Sequence, residues 1–281
     1  MRQLMMILFA VVFSSGLAFA QNNSGSVNQT GNDNDAELTQ NGTHEATITQ
    51  VGDMNDATVL QQGSDTESLV NVTQTGNDND ATALYLGRSG DWSGSNIGEI
   101  TQIQTGDDNT AYAVGRESAN LRQEQVGNNN NAQIGDPTGE SGSPNGIRRV
   151  MSVDQYQEGD FNTAYVEPVF RFIRDGSISQ SQIGDENRAE ALGLTNAARI
   201  NQSQEGDYNI SVVEQGNSNF HAYTTQEGNW NEAYITTGGH SHNEIIQLGD
   251  DNWGSIQTSS GGYGFISQDG DFNTATITQN N

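Results

Sequence analysis

The chain has 281 residues, only 32% of which are hydrophobic, and its formal net charge at pH 7 is −26. So polar a composition cannot offset the entropy of ordering an ordinary globular core, and taken alone it predicts disorder. The acidic surface repels nucleic acid and anionic membranes, so we expect neither as a partner. Because the chain contains no cysteine, disulfide frameworks and thiol chemistry are excluded.

The first twenty residues are typical of a secretory signal peptide. Arg2 supplies the positive charge, residues 4–17 are mainly apolar, and Ala18-Phe19-Ala20 has the small-x-small form of a cleavage site. The apolar stretch is shorter than the about 20 residues that a membrane span needs. We therefore expect residues 1–20 to be removed, leaving a secreted chain of residues 21–281 that is not inserted in a membrane.

The pattern Gln-x-Gly-x-x-Asn-x-Ala recurs throughout residues 21–281. Nine copies are intact, and two more replace only the final Ala, one with Ser211 and one with Gly254. The repeated positions are Gln29, Gly31, Asn34, Ala36; Gln50, Gly52, Asn55, Ala57; Gln74, Gly76, Asn79, Ala81; Gln104, Gly106, Asn109, Ala111; Gln125, Gly127, Asn130, Ala132; Gln157, Gly159, Asn162, Ala164; Gln182, Gly184, Asn187, Ala189; Gln204, Gly206, Asn209; Gln226, Gly228, Asn231, Ala233; Gln247, Gly249, Asn252; and Gln268, Gly270, Asn273, Ala275. This strict register argues for an ordered repeat protein.

The spacing of the repeats defines the size of the structural unit. Glycines 31, 42, 52 and 63 lie ten or eleven residues apart, whereas the later motif glycines lie mostly 21 or 22 apart. The basic unit is therefore about eleven residues, and two units form one larger repeat. In the middle of the chain the second half of the repeat is longer, and we expect loops around residues 83–98, 135–149 and 167–176.

Each unit is predicted to be strand-turn-strand. Gly-x-x-Asn is a turn sequence, because Gly and Asn tolerate positive φ and Asp caps its own backbone. The flanking residues alternate with period two, so that Asn55, Ala57, Val59 and Gln61 share one face. That face is expected to point inward, with Thr, Ser, Asp, Glu and Tyr facing solvent.

An inward face that mixes Gln and Asn with Ala, Val and Ile is costly in a globular core, because unpaired buried amides cost several kcal/mol. If coils stack about 4.7 Å apart, each amide lies above its copy and bonds to it in a continuous ladder. Gln155, Gln180 and Gln202 occupy equivalent places before their turns, as a ladder requires. We therefore predict an all-β, amyloid-forming cross-β fold, a β-solenoid with roughly 22 residues per coil.

The repeat resembles that of the curlin family of bacterial curli fibres, approximately Ser-x5-Gln-x-Gly-x2-Asn-x-Ala-x3-Gln. Gln50, Gly52, Asn55, Ala57 and Gln61 match it from the first Gln to the last. The resemblance implies a major or nucleating subunit of an extracellular, pilus-like amyloid fibre on the cell surface, which supports biofilm matrix, adhesion and cell aggregation. It further implies self-association, a nucleator subunit and an outer-membrane export machinery as partners. Unlike family members with a long export segment, this chain has only residues 21–28 before its first repeat.

No catalytic constellation stands out, so we expect no enzyme, no cofactor and no bound metal. His240 and His242 are near neighbours in sequence, but no third ligand is indicated. The Asp-rich turns allow a calcium interpretation, although the period of eleven differs from the nonapeptide of calcium-binding β-rolls. The alternative is therefore a monomeric secreted β-solenoid adhesin, or a calcium-linked surface protein, that does not polymerise. Thr-x-Thr segments at 47–49 and 276–278 suggest an ice-binding solenoid, but they do not recur on every coil.

Carboxylates are concentrated at the predicted turns, namely at Asp33, Asp35, Asp53, Asp56, Asp78, Asp80, Asp107, Asp108, Asp160, Asp207, Asp250, Asp251 and Asp271. Stacking brings like charges together, so we expect fibre growth to be slow at neutral pH and low salt. The lag time should shorten as the pH falls towards about 4, where carboxylates take up protons, and when salt or divalent cations screen the charge. A lag time that stays constant from pH 4 to 8 and from low to high salt would contradict this hypothesis.

Overall fold

The computed structural model describes residues 23–87, 98–116, 119–135, 147–148, 152–168, 176–194, 198–215, 220–259 and 261–280. Every regular element in these ranges is a β-strand, so the predicted all-β class is confirmed. No helix that could cross a membrane occurs in them. The predicted signal peptide at residues 1–20 lies outside the described residues.

Twenty-one strands pair in parallel to form one sheet. They are β1 (Ser24–Thr30), β2 (Asp35–Val51), β3 (Asp56–Thr75), β4 (Asp80–Leu86), β5 (Gly98–Thr105), β6 (Thr110–Arg116), β7 (Asn120–Val126), β8 (Asn131–Ile134), β9 (Ile147–Arg148), β10 (Ser152–Glu158), β11 (Thr163–Pro168), β12 (Ser177–Ile183), β13 (Arg188–Leu194), β14 (Ala198–Glu205), β15 (Ile210–Gln215), β16 (Phe220–Glu227), β17 (Glu232–Thr237), β18 (His242–Leu248), β19 (Trp253–Thr258), β20 (Tyr263–Asp269) and β21 (Thr274–Gln279).

The strands wind into a β-solenoid with two faces. Strands that precede a Gly-x-x-Asn turn pair with one another along one face, for example β10 with β12 and β12 with β14. Strands that follow the turn pair along the other face, for example β13 with β15. β2 and β3 are 17 and 20 residues long because each continues from one face around the far corner into the other face. These two strands therefore join both faces into a single sheet.

The register of the coils agrees with the repeat. Gln155 pairs with Gln180, and Gln180 pairs with Gln202, so the equivalence predicted for these three positions is confirmed. The segment Asp56–Gln62 pairs with Asp35–Asn41 residue for residue, which places like residues at the same height in successive coils. Parallel, in-register pairing of this kind is the geometry of cross-β stacks.

The two corners of each coil differ in length. The corner at the motif is always Gly-x-x-Asn, whereas the far corner ranges from the three residues between Arg116 and Asn120 to the seventeen between Ile134 and Ser152, which include the short strand β9. The predicted loop at 83–98 begins too early, because Ala83–Leu86 continue β4 with Ala83 and Tyr85 buried. Similarly, Ile147–Arg148 form β9, and Glu167 and Pro168 complete β11. Most of the remaining residues of these loops lie outside the described ranges.

The core is a narrow layer between the two faces, in which small and β-branched side chains alternate with buried glutamine and asparagine side chains. Alternate residues of each strand are buried, as in β5, where Ile100, Gln102 and Gln104 all have zero exposure. Tyr85 is the largest departure, because it takes the place that Gln61 holds in the preceding coil. Gly115 pairs with Tyr85 in the next coil.

The turn backbone differs from the prediction. Positive φ angles occur at the glycine and at the residue two places after it, such as Gly52 (123°) and Met54 (57°). The expectation that the motif Asn adopts positive φ is therefore wrong. Asn55 instead follows the left-handed residue, and its side chain is buried between coils. Several bulky residues consequently occupy a conformation that normally favours Gly, Asn or Asp.

The motif glycines are required by close packing between coils. At Gly159 φ is 112°, and an added Cβ would overlap the carbonyl oxygen of Gly184 in the next coil. We expect Gly159→Ala to lower the free energy of unfolding by about 2 kcal/mol or more, because strain and overlap combine. The check is the denaturant midpoint measured by circular dichroism. Gly115→Ala is the matched control, since its Cβ would lie 3.4 Å from the nearest atoms at an ordinary φ. Equal midpoints for the two variants would contradict this role.

Candidate functional site: the polar ladders

A continuous ladder of glutamine side chains runs along one edge of the core. In each coil the Nε2 group donates a hydrogen bond of 2.8–3.0 Å to Oε1 of the glutamine in the next coil. Its members are the motif residues Gln29, Gln50, Gln74, Gln104, Gln125, Gln157, Gln182, Gln204, Gln226, Gln247 and Gln268. All of the bonds point the same way, from the N-terminal towards the C-terminal end of the solenoid.

The second N–H of each glutamine ties the two faces together. Gln50 donates to Gln74 Oε1 at 2.9 Å and also to the backbone carbonyl of Asp35 at 2.7 Å, across the core. Gln104 does the same with Gln125 Oε1 at 3.0 Å and the Asp80 carbonyl at 2.9 Å. Buried amides are thereby satisfied by both the next coil and the opposite strand.

The motif asparagines form a second ladder of opposite direction. Asn79 Nδ2 donates to Asn55 Oδ1 of the preceding coil at 3.0 Å and to the carbonyl of Gly106 at 2.8 Å. Each member except the last accepts a hydrogen bond from the backbone N–H of the next member, and the row consists of Asn34, Asn55, Asn79, Asn109, Asn130, Asn162, Asn187, Asn209, Asn231, Asn252 and Asn273. The glycine carbonyls are thus acceptors for the ladder, in addition to permitting close approach of the coils.

The fourth motif position lies in the apolar part of the core. The alanines at 57, 81, 111, 132, 164, 189 and 233 are buried, and those of the two end coils, Ala36 and Ala275, are partly buried. Where Ser211 replaces alanine, its hydroxyl lies 2.6 Å from Thr224 Oγ1 and accepts from Gln202 Nε2 at 2.8 Å. The structure therefore brings all four motif positions into separate rows that run the length of the solenoid.

A third row, at the residue directly after each motif glycine, was missed by the sequence analysis. Its Oδ1 atoms accept a hydrogen bond from the backbone N–H of the preceding coil, for example Asp53 from Asn32 and Asn77 from Asp53. The members are Asn32, Asp53, Asn77, Asp107, Asn128, Asp160, Asp185, Asp207, Asn229, Asp250 and Asp271. The available signal was that this position is always Asn or Asp.

Two further polar clusters were also missed. Gln102 and Gln123 extend the row of Gln155, Gln180 and Gln202 into a second glutamine ladder, with Gln102 Nε2 donating to Gln123 Oε1 at 2.9 Å.

The second cluster is centred on His44, which is buried. Its Nδ1 lies 3.0 Å from Ser68 Oγ, beside a cavity of about 240 Å³. His44 and Ser68 are 24 residues apart in the sequence and come into contact only because successive coils stack.

Some outward rows stack carboxylates directly. Asp35, Asp56 and Asp80 pair in successive coils. Burial, and secondarily the Asp56 charge, raises the pKa of Asp80 above its ordinary value. The folded state therefore binds a proton at Asp80 more readily than the unfolded state, so this residue destabilises the fold at neutral pH and acidification removes that effect. No grouping of three or more His, Asp or Glu suited to a metal occurs among the described residues.

The main glutamine ladder should be more sensitive than the surface to truncation. We expect Gln125→Ala to lower the free energy of unfolding by about 2–4 kcal/mol, because it removes the ladder acceptor of Gln104 and the ladder donor of Gln157 from the core. Gln257→Ala removes the same side chain from an exposed position of β19 and should change stability by less than about 0.5 kcal/mol. Chemical denaturation of the two variants measures this difference, and similar losses would argue against an energetic role for the ladder.

The comparisons with known proteins agree with this geometry. A family model described as the curlin associated repeat matches residues 45–71, a segment that spans one motif corner and the adjoining strands of β2 and β3. No curated protein matches the chain significantly. The chain therefore carries a curlin associated repeat, which confirms its resemblance to the curlin-repeat family.

Proposed function

We propose that this protein is the structural subunit of an extracellular, curli-like amyloid fibre, in which molecules stack end to end. The curlin associated repeat and the β-solenoid fold fit such a subunit. The observation that carries the proposal is that, among the described residues, no strand covers either end coil, and that the residues of the two end coils match. The match involves the strand edges, the ends of the ladders, the apolar positions and the charges of the first and last coils.

Within the part of the chain that the structure describes, both ends of the solenoid present strand edges without a further paired strand. β1 pairs with β2 on one side and is exposed along its whole length. At the other end β20 pairs with β18, and β21 pairs with β19. Unpaired parallel edges of this length are templates for a further strand, and a cap or a charged edge normally protects against such pairing. A second copy of the chain would supply the missing strand.

The ladders have complementary ends. Gln268 uses one N–H on the carbonyl of Trp253, which leaves its second N–H for an acceptor in the next coil. Gln29 donates to Gln50, and its Oε1 accepts no hydrogen bond among the described residues. Asn273 likewise ends its row with Oδ1 open, whereas the N–H groups of Asn34 would donate to it by the pattern of the interior coils. Both ladders therefore continue only if the N-terminal end of one copy meets the C-terminal end of another.

The apolar and glycine positions also match in this alignment. Placing Gln29 over Gln268 pairs Val27 with Ile266, Gly25 with Gly264, Ala36 with Ala275, Leu38 with Ile277, and Gln40 with Gln279. The partly buried Leu38 and Ile277 would become fully enclosed, which adds hydrophobic stabilisation to the hydrogen bonds. The end coil of a second copy would therefore present the same types of residue at the joint as an additional internal coil would.

Charge at this junction is more favourable than in the interior. The same alignment places Asp35 over Thr274 and Glu37 over Thr276, so neither carboxylate faces another. In the interior, by contrast, Asp35, Asp56 and Asp80 stack directly. Repulsion that slows assembly would therefore arise from the overall charge of −26 rather than from facing pairs at the joint.

The biological role in this proposal rests on the resemblance to the curlin-repeat family. A secreted fibre of this kind would strengthen biofilm matrix and support adhesion and cell aggregation, without catalysis. Its first partner is another copy of the same chain. A nucleator subunit and an outer-membrane export machinery are the further partners that the family resemblance suggests.

Fibre elongation from preformed seeds tests the proposal. We expect Gln29→Ala to slow elongation about tenfold, because the Nε2 of Gln268 in the adjoining copy then has no acceptor. Thr278→Ala, an outward change in the other end coil, should leave the rate within about twofold. Dye-binding kinetics and electron microscopy provide the readout. If the folded chain stays monomeric at high concentration, the proposal fails and a non-polymerising adhesin becomes the better interpretation. Equal elongation rates for the two variants would contradict the predicted contact between Gln29 and Gln268 of adjoining copies.

A further inference from the structure

The third residues of the motif corners form a row of unusual composition that is exposed except at Tyr208, which is half-buried. All of its members have φ between 54° and 60°, in the left-handed region. The row reads Asp33, Met54, Asp78, Asp108, Asn129, Phe161, Glu186, Tyr208, Trp230, Asp251 and Phe272. Asp and Asn accept this conformation readily, whereas bulky side chains do so at a cost of about 1–3 kcal/mol.

The aromatic members do not recover that cost by burial in the core. Trp230 is 55% exposed and Phe272 is 76% exposed. Exposed aromatic side chains in strained backbone are typical of binding sites, where the strain serves recognition. The C-terminal part of the row therefore requires an explanation other than folding.

Trp230, Asp251 and Phe272 lie in three successive coils. Backbone hydrogen bonds fix this order, since Trp230 donates to Asp207, Asp251 to Asn229 and Phe272 to Asp250, at 2.9–3.0 Å. A rise of about 4.8 Å per coil then separates the two aromatic positions by roughly 9.5 Å. The small side chain of Asp251 occupies the level between them.

The indole ring of Trp230 presents one open face to that level. Its other face is covered by Tyr208, whose ring centroid lies 4.1 Å away with an interplanar angle of 4°. Rings this close and this parallel must stack along the solenoid axis, so the uncovered indole face is directed towards the coil of Asp251. Aromatic centroids pair favourably from about 4.5 Å, so a gap of roughly 9.5 Å admits one flat ring between Trp230 and Phe272.

The charge around this gap selects the kind of ring. Asp251 lies at its base, Asp250 precedes Asp251 in the same corner and Asp271 precedes Phe272, and all three acidic side chains are exposed. The face of an indole attracts cations through its quadrupole, and the carboxylates add direct attraction. A positively charged planar group satisfies both requirements, whereas an anionic one is repelled.

A second gap in the row, between Phe161 and Tyr208, is less suited to a cation. Its carboxylate, Glu186, already accepts a hydrogen bond of 3.0 Å from the Tyr208 hydroxyl. Arg188 also lines the adjoining cavity of about 370 Å³, together with Phe161 and Glu186. At the other gap, the Asp251 carboxylate has no hydrogen bond from a neighbouring side chain among the described residues, and no arginine in them lies beside the gap.

From these observations we infer that Trp230, Asp251 and Phe272 form a binding site for a planar organic cation, which inserts between the two rings and pairs with the Asp251 carboxylate. The site belongs to a single molecule, so it exists whether or not the chain polymerises. In a fibre it would recur once per subunit along one corner.

Equilibrium dialysis of the full chain against N-methylquinolinium, a two-ring aromatic cation, tests this site. We expect saturable binding that weakens about fivefold to tenfold in Asp251→Asn, which keeps the left-handed backbone but removes the charge. Trp230→Asn should abolish the saturable component. Asp108→Asn is the matched control, because it makes the same change at φ 57° between Asp78 and Asn129, where no ring is available. Circular dichroism of each variant verifies that the solenoid is intact.

Two results would overturn the inference. If Asp108→Asn weakens binding as much as Asp251→Asn, the attraction is general to the acidic surface. If the uncharged analogue 1-methylnaphthalene binds as tightly as N-methylquinolinium, the site does not select cations. The measurement is independent of fibre growth, so its failure would leave the proposed assembly unaffected, and failure of assembly would leave the binding result standing.

Discussion

The fold depends on one requirement, that every buried amide finds its own copy at the same height in the next coil. The core between the two faces is only one side chain deep on each side, and glutamine and asparagine fill much of it. An unpaired amide there would lose more free energy than its alkyl groups gain. Register is therefore fixed by hydrogen bonding at least as much as by apolar packing, and a slip of one residue would expose whole rows.

The corner at Gly-x-x-Asn meets this requirement at the backbone level. Gly52 allows the backbone to lie against Gly76 in the next coil, and its carbonyl accepts from Asn34 at 2.7 Å. The next residue, Asp53, accepts the backbone N–H of Asn32 at 2.8 Å. One short corner thus satisfies the polar groups that a tight turn usually leaves to water. Because the two main ladders donate in opposite directions, each coil has distinguishable ends, which gives the whole molecule a direction.

Much of this architecture was predictable because the repeat encodes it. The periods of two and eleven predict strands, corners and an inward face, and identical residues at equivalent places predict ladders. The conformation of the corner was not predictable in the same way, because Gly-x-x-Asn suggests positive φ at Asn, whereas the structure assigns it to the residue before. Contacts such as His44 with Ser68 depend on how many residues the far corner contains, and no local pattern reports that number. Similarly, Ala83–Leu86 alternate as a strand although their residues no longer match the motif.

The unequal corners have a consequence for how such a chain can change. Insertions at the motif corner would break three rows of hydrogen bonds at once, whereas the far corner already differs in length from coil to coil without disturbing the pairing of the strands. Length variation is therefore confined to one side of the solenoid. On the other side, the motif corners repeat at a regular spacing of about 4.8 Å. Peptides added at the far corner would be displayed in a single file at a spacing set by the coil rise. The motif corner therefore keeps one geometry in every coil, whereas the far corner tolerates changes of length and sequence.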